Sequence, residues 1–267
     1  MLSVVSPSKF EGRDVQKLIR KLMEKRGLFR KEALEDVVRE NMVWMPYHRI
    51  RFDYARSERG LIQRYGEIGR GETVLNAMFC GCVESERELF VLFRPNYLKR
   101  KVTRHSPQSG EIVGPTSCAD FDGVFGGLLK RLNEVKDELT EVRSELRKSR
   151  VRTSRFRMIV PVMWDLKKER ALSEKVARLG AAKIALSMCL NVNEDIDSIK
   201  VVGSEVFYYP VLVVTLKSKE DGAERYVVVN LVESGLTGKR LSCDRGLTEL
   251  CDKNGGCREI IASSIVS

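Results

Sequence analysis

EVFYYPVLVVTL (Glu205–Leu216) reads as a β-strand interrupted by a proline, and an earlier stretch of the chain repeats it. MVWMPYHRIRFDY (Met42–Tyr54) also places a proline in an aromatic run and continues as an alternating strand. There Ile50, Phe52 and Tyr54 alternate with Arg49, Arg51 and Asp53, the period of two that a half-buried strand requires. With Pro46 set on Pro210, Trp44 meets Tyr208, Ile50 meets Val214 and Phe52 meets Leu216. With Asn76 set on Asn230, Val74–Met78 lies on Val228–Val232. A helix precedes each proline strand, so each copy reads helix, strand, hairpin, strand, which suggests an internal duplication. Proline cannot donate to a sheet ladder, so each one is expected to mark the entry of its strand. The two copies differ in polarity. His48, Arg49 and Arg51 suggest a wet face in the first, where Val211–Val214 suggests burial in the second.

Outward from these strands, Asp14–Arg39 reads as helix broken at Gly27, with Val15, Leu18, Ile19 and Leu22 on one face. Leu34, Val37 and Val38 belong to its second part. Residues 56–70 read as loop, and Thr73–Cys82 and Glu88–Arg94 as strands. Lys99–Cys118 is rich in Pro, Gly, Ser and Thr, the composition of a linker. Leu128, Leu132, Val135, Leu139, Val142 and Leu146 then repeat at 4-3-4-3-4, a heptad seam that needs a helical partner in this chain or in a second copy. Phe156–Trp164 reads as strand, Glu169–Leu190 as helix, and Ser198–Val202, Val206–Leu216 and Arg225–Val232 as strands, with Asp221-Gly222 as a hairpin turn. The expected fold is α+β: a helix-plus-sheet unit at 1–98, a linker at 99–118, a heptad helix at 119–150 and a second helix-plus-sheet unit at 151–267.

The helix followed by YYPVLVVTLKSKEDGAERYVVVNLVESGLTGKRL resembles PepSY-type domains, small α+β modules in which a helix packs on an antiparallel hairpin. Their closing strand ends in a V-D-x-x-T-G pattern. Its counterpart here is Val229-Asn230, with Asn in the Asp position and Thr237-Gly238 displaced. The resemblance implies a non-catalytic module, and its shape is what carries over. PepSY modules are mostly extracytoplasmic, whereas no stretch here resembles a secretory signal and no apolar run is long enough to cross a bilayer, so no leader is expected. Seven cysteines at irregular spacing suggest mostly free thiols in a reducing cytosol.

The chain has 47 Lys and Arg against 37 Asp and Glu, a formal charge of +10. The excess lies early: residues 1–117 hold 22 basic and 15 acidic side chains, a difference of +7. Two clusters stand out as polyanion-binding candidates. One is Lys99, Arg100, Lys101 and Arg104, with His105 beside it; the other is Arg147, Lys148, Arg150, Arg152, Arg155 and Arg157. The bland alternative is a solvated face and a cationic helix C-terminus. No catalytic constellation is visible around the two histidines, His48 and His105. Cys80/Cys82 and Cys243/Cys251/Cys257 lack zinc-site spacing, so no metal or cofactor is expected. Gly66–Gly71 lacks the Gly-Lys-Ser/Thr ending of a phosphate loop and reads as a hairpin connection. These features favour a cytosolic, non-catalytic adaptor or scaffold with a protein partner, dimeric if the seam Leu128–Leu146 pairs between copies. A nucleic-acid-associated protein is second, and an enzyme with an unrecognised site third.

Overall fold

The computed structural model describes residues 1–7, 12–26, 31–33, 35–57, 66–79, 86–109, 111–116, 121–156, 163–192, 196–232 and 242–253. In chain order the strands are β1 (Leu2–Val5), β2 (Glu24–Arg26), β3 (Lys31–Ala33), β4 (Glu35–Ser57), β5 (Gly66–Asn76), β6 (Val102–His105), β7 (Ile112–Val113), β8 (Ser198–Ser218), β9 (Glu224–Asn230) and β10 (Ser242–Cys243). The helices are α1 (Gly12–Met23), α2 (Glu86–Leu92), α3 (Phe121–Phe156), α4 (Met163–Leu190) and α5 (Arg245–Lys253), with a 3-10 turn at Pro95–Lys99. The fold is therefore α+β with a mixed sheet. Its order is β10-β9-β8-β1-β6, and β4 pairs with β5, β7 and β8. No described helix is long and apolar enough to cross a membrane.

The chain divides into two compact units that interleave in sequence. The first comprises Met1–Ile50, Val74–Ala119 and Ser204–Ser267; the second comprises Arg51–Thr73 and Asp120–Gly203. In the first unit α1 lays Ile19 onto Val214, Leu216, Val227 and Val229 of the β8–β9 hairpin, with Val15, Leu18 and Met23 around it. The resemblance to PepSY-type domains implied that the helix before β8 covers that hairpin. α4 instead packs along α3 in the second unit. There all six seam residues, Leu128, Leu132, Val135, Leu139, Val142 and Leu146, are buried, as are Leu179, Leu186 and Leu190 of α4. A Lys175–Glu138 ion pair at 2.8 Å joins the two helices.

Several local expectations are corrected. Val37 and Val38 lie in β4, not in a helix, because strand pairing overrides a weak helical preference. Glu88–Leu92 is helical: Leu89, Leu92 and Phe93 fall at i, i+3, i+4 and are buried together, a pattern that a short apolar run leaves ambiguous. Of the expected 56–70 loop, 56–57 belong to β4 and 66–70 to β5, and 58–65 lie outside the described residues. The linker carries β6 and β7. Ser198–Val202 and Val206–Leu216 form one strand, β8. Phe156 ends α3 and Met163 begins α4, while 157–162 of the expected strand lie outside the described residues.

The prolines do not mark strand entry either; Pro46 and Pro210 are interior to β4 and β8. β8 pairs antiparallel with β9 from Val211 onward, so Pro210 lies at the end of that ladder, where a missing N–H interrupts none of its pairs. Both proline carbonyls are used. Pro46 accepts from the Ala77 amide at 3.0 Å and Pro210 from the Leu231 amide at 3.4 Å. One residue before each of these donors sits an asparagine that closes a turn. Asn76 Oδ1 accepts from the Met78 and Phe79 amides, and Asn230 Oδ1 accepts from the Val232 amide.

GEIGRG (Gly66–Gly71) is part of β5 and not a connection. Gly69 and Gly71 share one strand face, where Tyr54 and Phe52 lie across. A Cβ on Gly69 would meet the Tyr54 ring, and one on Gly71 would meet the Phe52 ring within 2.3 Å. Phe52 also packs against Phe125 of α3, ring centroids 5.5 Å apart. Gly126, by contrast, sits on an exposed stretch of α3 with nothing near its Cβ position. Gly71→Ala should therefore lower the urea midpoint by displacing Phe52. Gly126→Ala should raise stability by up to about 1 kcal/mol through helix propensity alone. Equal effects of the two in the same urea titration would contradict this account of β5.

Candidate binding site

The interior of the first unit is built around tyrosines. Tyr97 and Tyr209 stack with centroids 3.9 Å apart and planes 4° from parallel. Tyr47 meets Tyr97 edge-on at 5.1 Å. Burial pushes the Tyr47 hydroxyl up to about 12, against the pull of Arg94 and Asn76. Burial likewise raises Tyr97 and Tyr209. These phenols stay neutral at physiological pH and act as packing and hydrogen-bonding groups.

Beside them Arg94 Nη2 donates to both carboxylate oxygens of Asp244 at 3.0 Å. Asp244 also caps α5, its Oδ1 accepting from the Leu247 amide and its carbonyl from the Thr248 amide. Backbone bonds hold both partners. The Arg94 amide donates to the Val74 carbonyl and the Asp244 amide to the Val228 carbonyl. Burial disfavours the Arg94 charge, but the Asp244 carboxylate opposes it and the guanidinium stays protonated. Lys253 of α5 pairs with the buried Glu88 of α2 at 2.6 Å.

Over this interior opens a pocket of about 240 Å³. Its apolar walls include Val74, Tyr97, Leu98, Val206 and Phe207, and Arg49, Arg100 and Glu205 supply its charge. Arg49 Nη1 donates to Glu205 at 3.3 Å. Val102 of β6 forms part of the lining and is 44% exposed; Val206 is 36% exposed. Sequence reasoning missed this site because its lining comes from β1, β4, β5, β6, β8 and the turn after α2.

The structure spreads out the expected basic residues. Arg100 lines the pocket, and Lys99, Lys101 and Arg104 are exposed. His105 is held by Glu111 at 2.8 Å. The second cluster belongs to the other unit: Arg147 and Lys148 are exposed on α3, the side chains of Arg150, Arg152 and Arg155 lie outside the described set, and so does Arg157 as a whole. The wet face expected of the first copy is only partial. His48 is buried, Arg49 half-buried and Arg51 exposed. Burial lowers the His48 imidazole, favouring its neutral form.

Among the cysteines, Cys189 is a buried free thiol, raised by burial to about 12, and Cys243 is a half-buried free thiol. Cys251 is disulfide-bonded, which departs from the expectation of free thiols at that position. Cys80, Cys82, Cys118 and Cys257 lie outside the described residues. Among the described residues no three His, Cys, Asp or Glu side chains gather as a metal site. No family model matches the chain, and neither the curated proteins nor the solved structures provide a match.

Two predictions come from this geometry. Asp244→Ala leaves the partly buried Arg94 charge without its carboxylate and should cost about 1.5–3 kcal/mol in chemical denaturation; Arg94→Met with Asp244→Asn should recover part of that loss. Glu111 supplies the second. Burial would raise its carboxyl, but hydrogen bonds from His105, the Gln108 amide and Trp44 prevail and hold it below the usual range. The ionised group therefore adds stability above the unfolded carboxylate pKa, and that stability is lost as pH falls through the lower folded value. Glu111→Gln should be destabilising at neutral pH, with the difference shrinking in acid, as read from urea midpoints across a pH series.

Proposed function

We propose that this chain is a non-catalytic binding protein, an adaptor or scaffold, whose partner docks at the pocket of the first unit. The pocket beside β6 carries this reading. It has an apolar wall, a polar rim and exposed Val102 and Val206 next to it, the composition of a recognition site. β6 ends the strand order β10-β9-β8-β1-β6, so it offers an edge for strand addition. We further propose that the two halves derive from one duplicated unit. Leu75 bridges Phe93 as Val229 pairs with Cys243, and Trp44 pairs parallel with Val113 as Tyr208 does with Val4. Of these residues, Trp44 and Tyr208 match at the offset of the prolines and Leu75 and Val229 at that of the asparagines, while their strand partners come from different places in the chain. On this reading Arg94 and Asp244 occupy matched positions.

Self-association through Leu128–Leu146 would require exchange of α4 for a partner's helix, since the seam is already buried. A nucleic-acid-associated role is the second reading, favoured by the exposed Lys99, Lys101, Arg104, Arg147 and Lys148.

The test is site-directed photo-crosslinking of the full chain in a native extract. A photoreactive residue at position 206 should give a discrete protein adduct, absent when it is placed at Ile68, which is 80% exposed in the other unit. Identical adducts from both positions, or nucleic-acid adducts alone, would overturn the proposal.

A further inference from the structure

We infer that the free edge of β6 takes an acidic, extended peptide segment as an added strand. This deepens the binding reading above and rests on it. β6 is the terminal strand beyond β1 in the described sheet, held by the antiparallel register Leu2↔His105 to Val5↔Val102. In such a strand alternate N–H and C=O groups point away from the neighbour and present a ladder to an incoming backbone. Side chains alternate as well. Val102 and Arg104 share one face and are both exposed, and Val102 belongs to the lining of the pocket.

Charge selects the partner. Lys99–Arg104 carries four cations and no acid, and Lys99, Lys101 and Arg104 are exposed. His105, which follows, is already matched by Glu111. Cations on a sheet edge repel basic strands and discourage indiscriminate pairing, so an acidic strand is the kind this edge admits. The pattern it reads follows from the register. A residue opposite Val102 lies over the pocket and is apolar, and one two positions along meets Arg104 and is acidic. A single-stranded nucleic acid fits less well. The pocket's aromatic walls, Tyr97 and Phe207, are each only 5% exposed and offer no open face for base stacking.

Fluorescence anisotropy with the full chain tests this. The probe is a labelled peptide alternating Val and Glu. The controls are a Val/Lys peptide, a Val/Glu peptide N-methylated at alternate residues, and a labelled oligothymidylate. The Val/Glu peptide should bind and the Val/Lys peptide should not. N-methylation should weaken binding by about tenfold, the equivalent of about 1.4 kcal/mol. K101E/R104E, checked for an unchanged thermal melt, should lose the Val/Glu peptide and gain the Val/Lys one. Undiminished binding of the N-methylated peptide would overturn strand addition. Oligothymidylate that binds more tightly and displaces the peptide would assign the edge to nucleic acid instead. A position-206 protein adduct that persists in K101E/R104E would leave the binding reading standing and remove this site from it.

Discussion

The first unit depends on one partly buried ion pair. Withdrawing a guanidinium and a carboxylate even partly from water carries a desolvation cost, which the geometry of Arg94 and Asp244 offsets. One Arg94 nitrogen reaches both Asp244 oxygens, Asp244 in turn caps α5, and the backbone amides of both residues are tied to strands β5 and β9. Two residues 150 apart in sequence thus fix each other and the elements that carry them. Tyr47 and Tyr97 lie close to the Arg94 guanidinium, so the pair joins the tyrosine interior to α5.

The placement of helices follows a different logic. Each long hairpin presents an apolar surface that some helix must cover. For β8–β9 that helix is α1, from the start of the chain; in the second unit Phe125 of α3 meets Phe52 of β4, and Thr73 Oγ1 on β5 donates to the Cys189 carbonyl of α4. Neither hairpin is covered by the helix nearest before it in sequence. A stripe such as Val15, Leu18 and Ile19 declares that a helix has an apolar face. It does not name the surface that will receive it, because burial is non-directional and depends on area, not on chain proximity.

This explains which parts of the fold were legible. The hairpin turn at Asp221-Gly222, with Gly222 at φ +70°, and the strands it joins follow from local chemistry and a period of two. The α3 seam was legible because six residues at heptad spacing repeat a single geometry. Misread segments are those where local signals compete. Leu89, Leu92 and Phe93 suit a strand or a helix by composition, and only packing selects the helix. Gly69 and Gly71 look like a loop until Tyr54 and Phe52 are placed opposite them, when their missing side chains become room for rings. The pocket was invisible for a similar reason. Its lining residues, from Ser3 to Phe207, share no motif and meet only through the sheet.

By itself the sequence determined the element types with strong periodicity, the two proline-containing strands and the basic character of Lys99–Arg104. All of these are set by residues within a few positions of one another, where spacing alone fixes geometry. Tertiary structure decided which helix covers which hairpin, why two prolines sit inside strands instead of at their ends, and which of the charges are buried. It placed Arg94 against Asp244 and left β6 at an edge with cations along it. Those outcomes turn on desolvation and on area removed from water, quantities that exist only once distant parts of the chain have met.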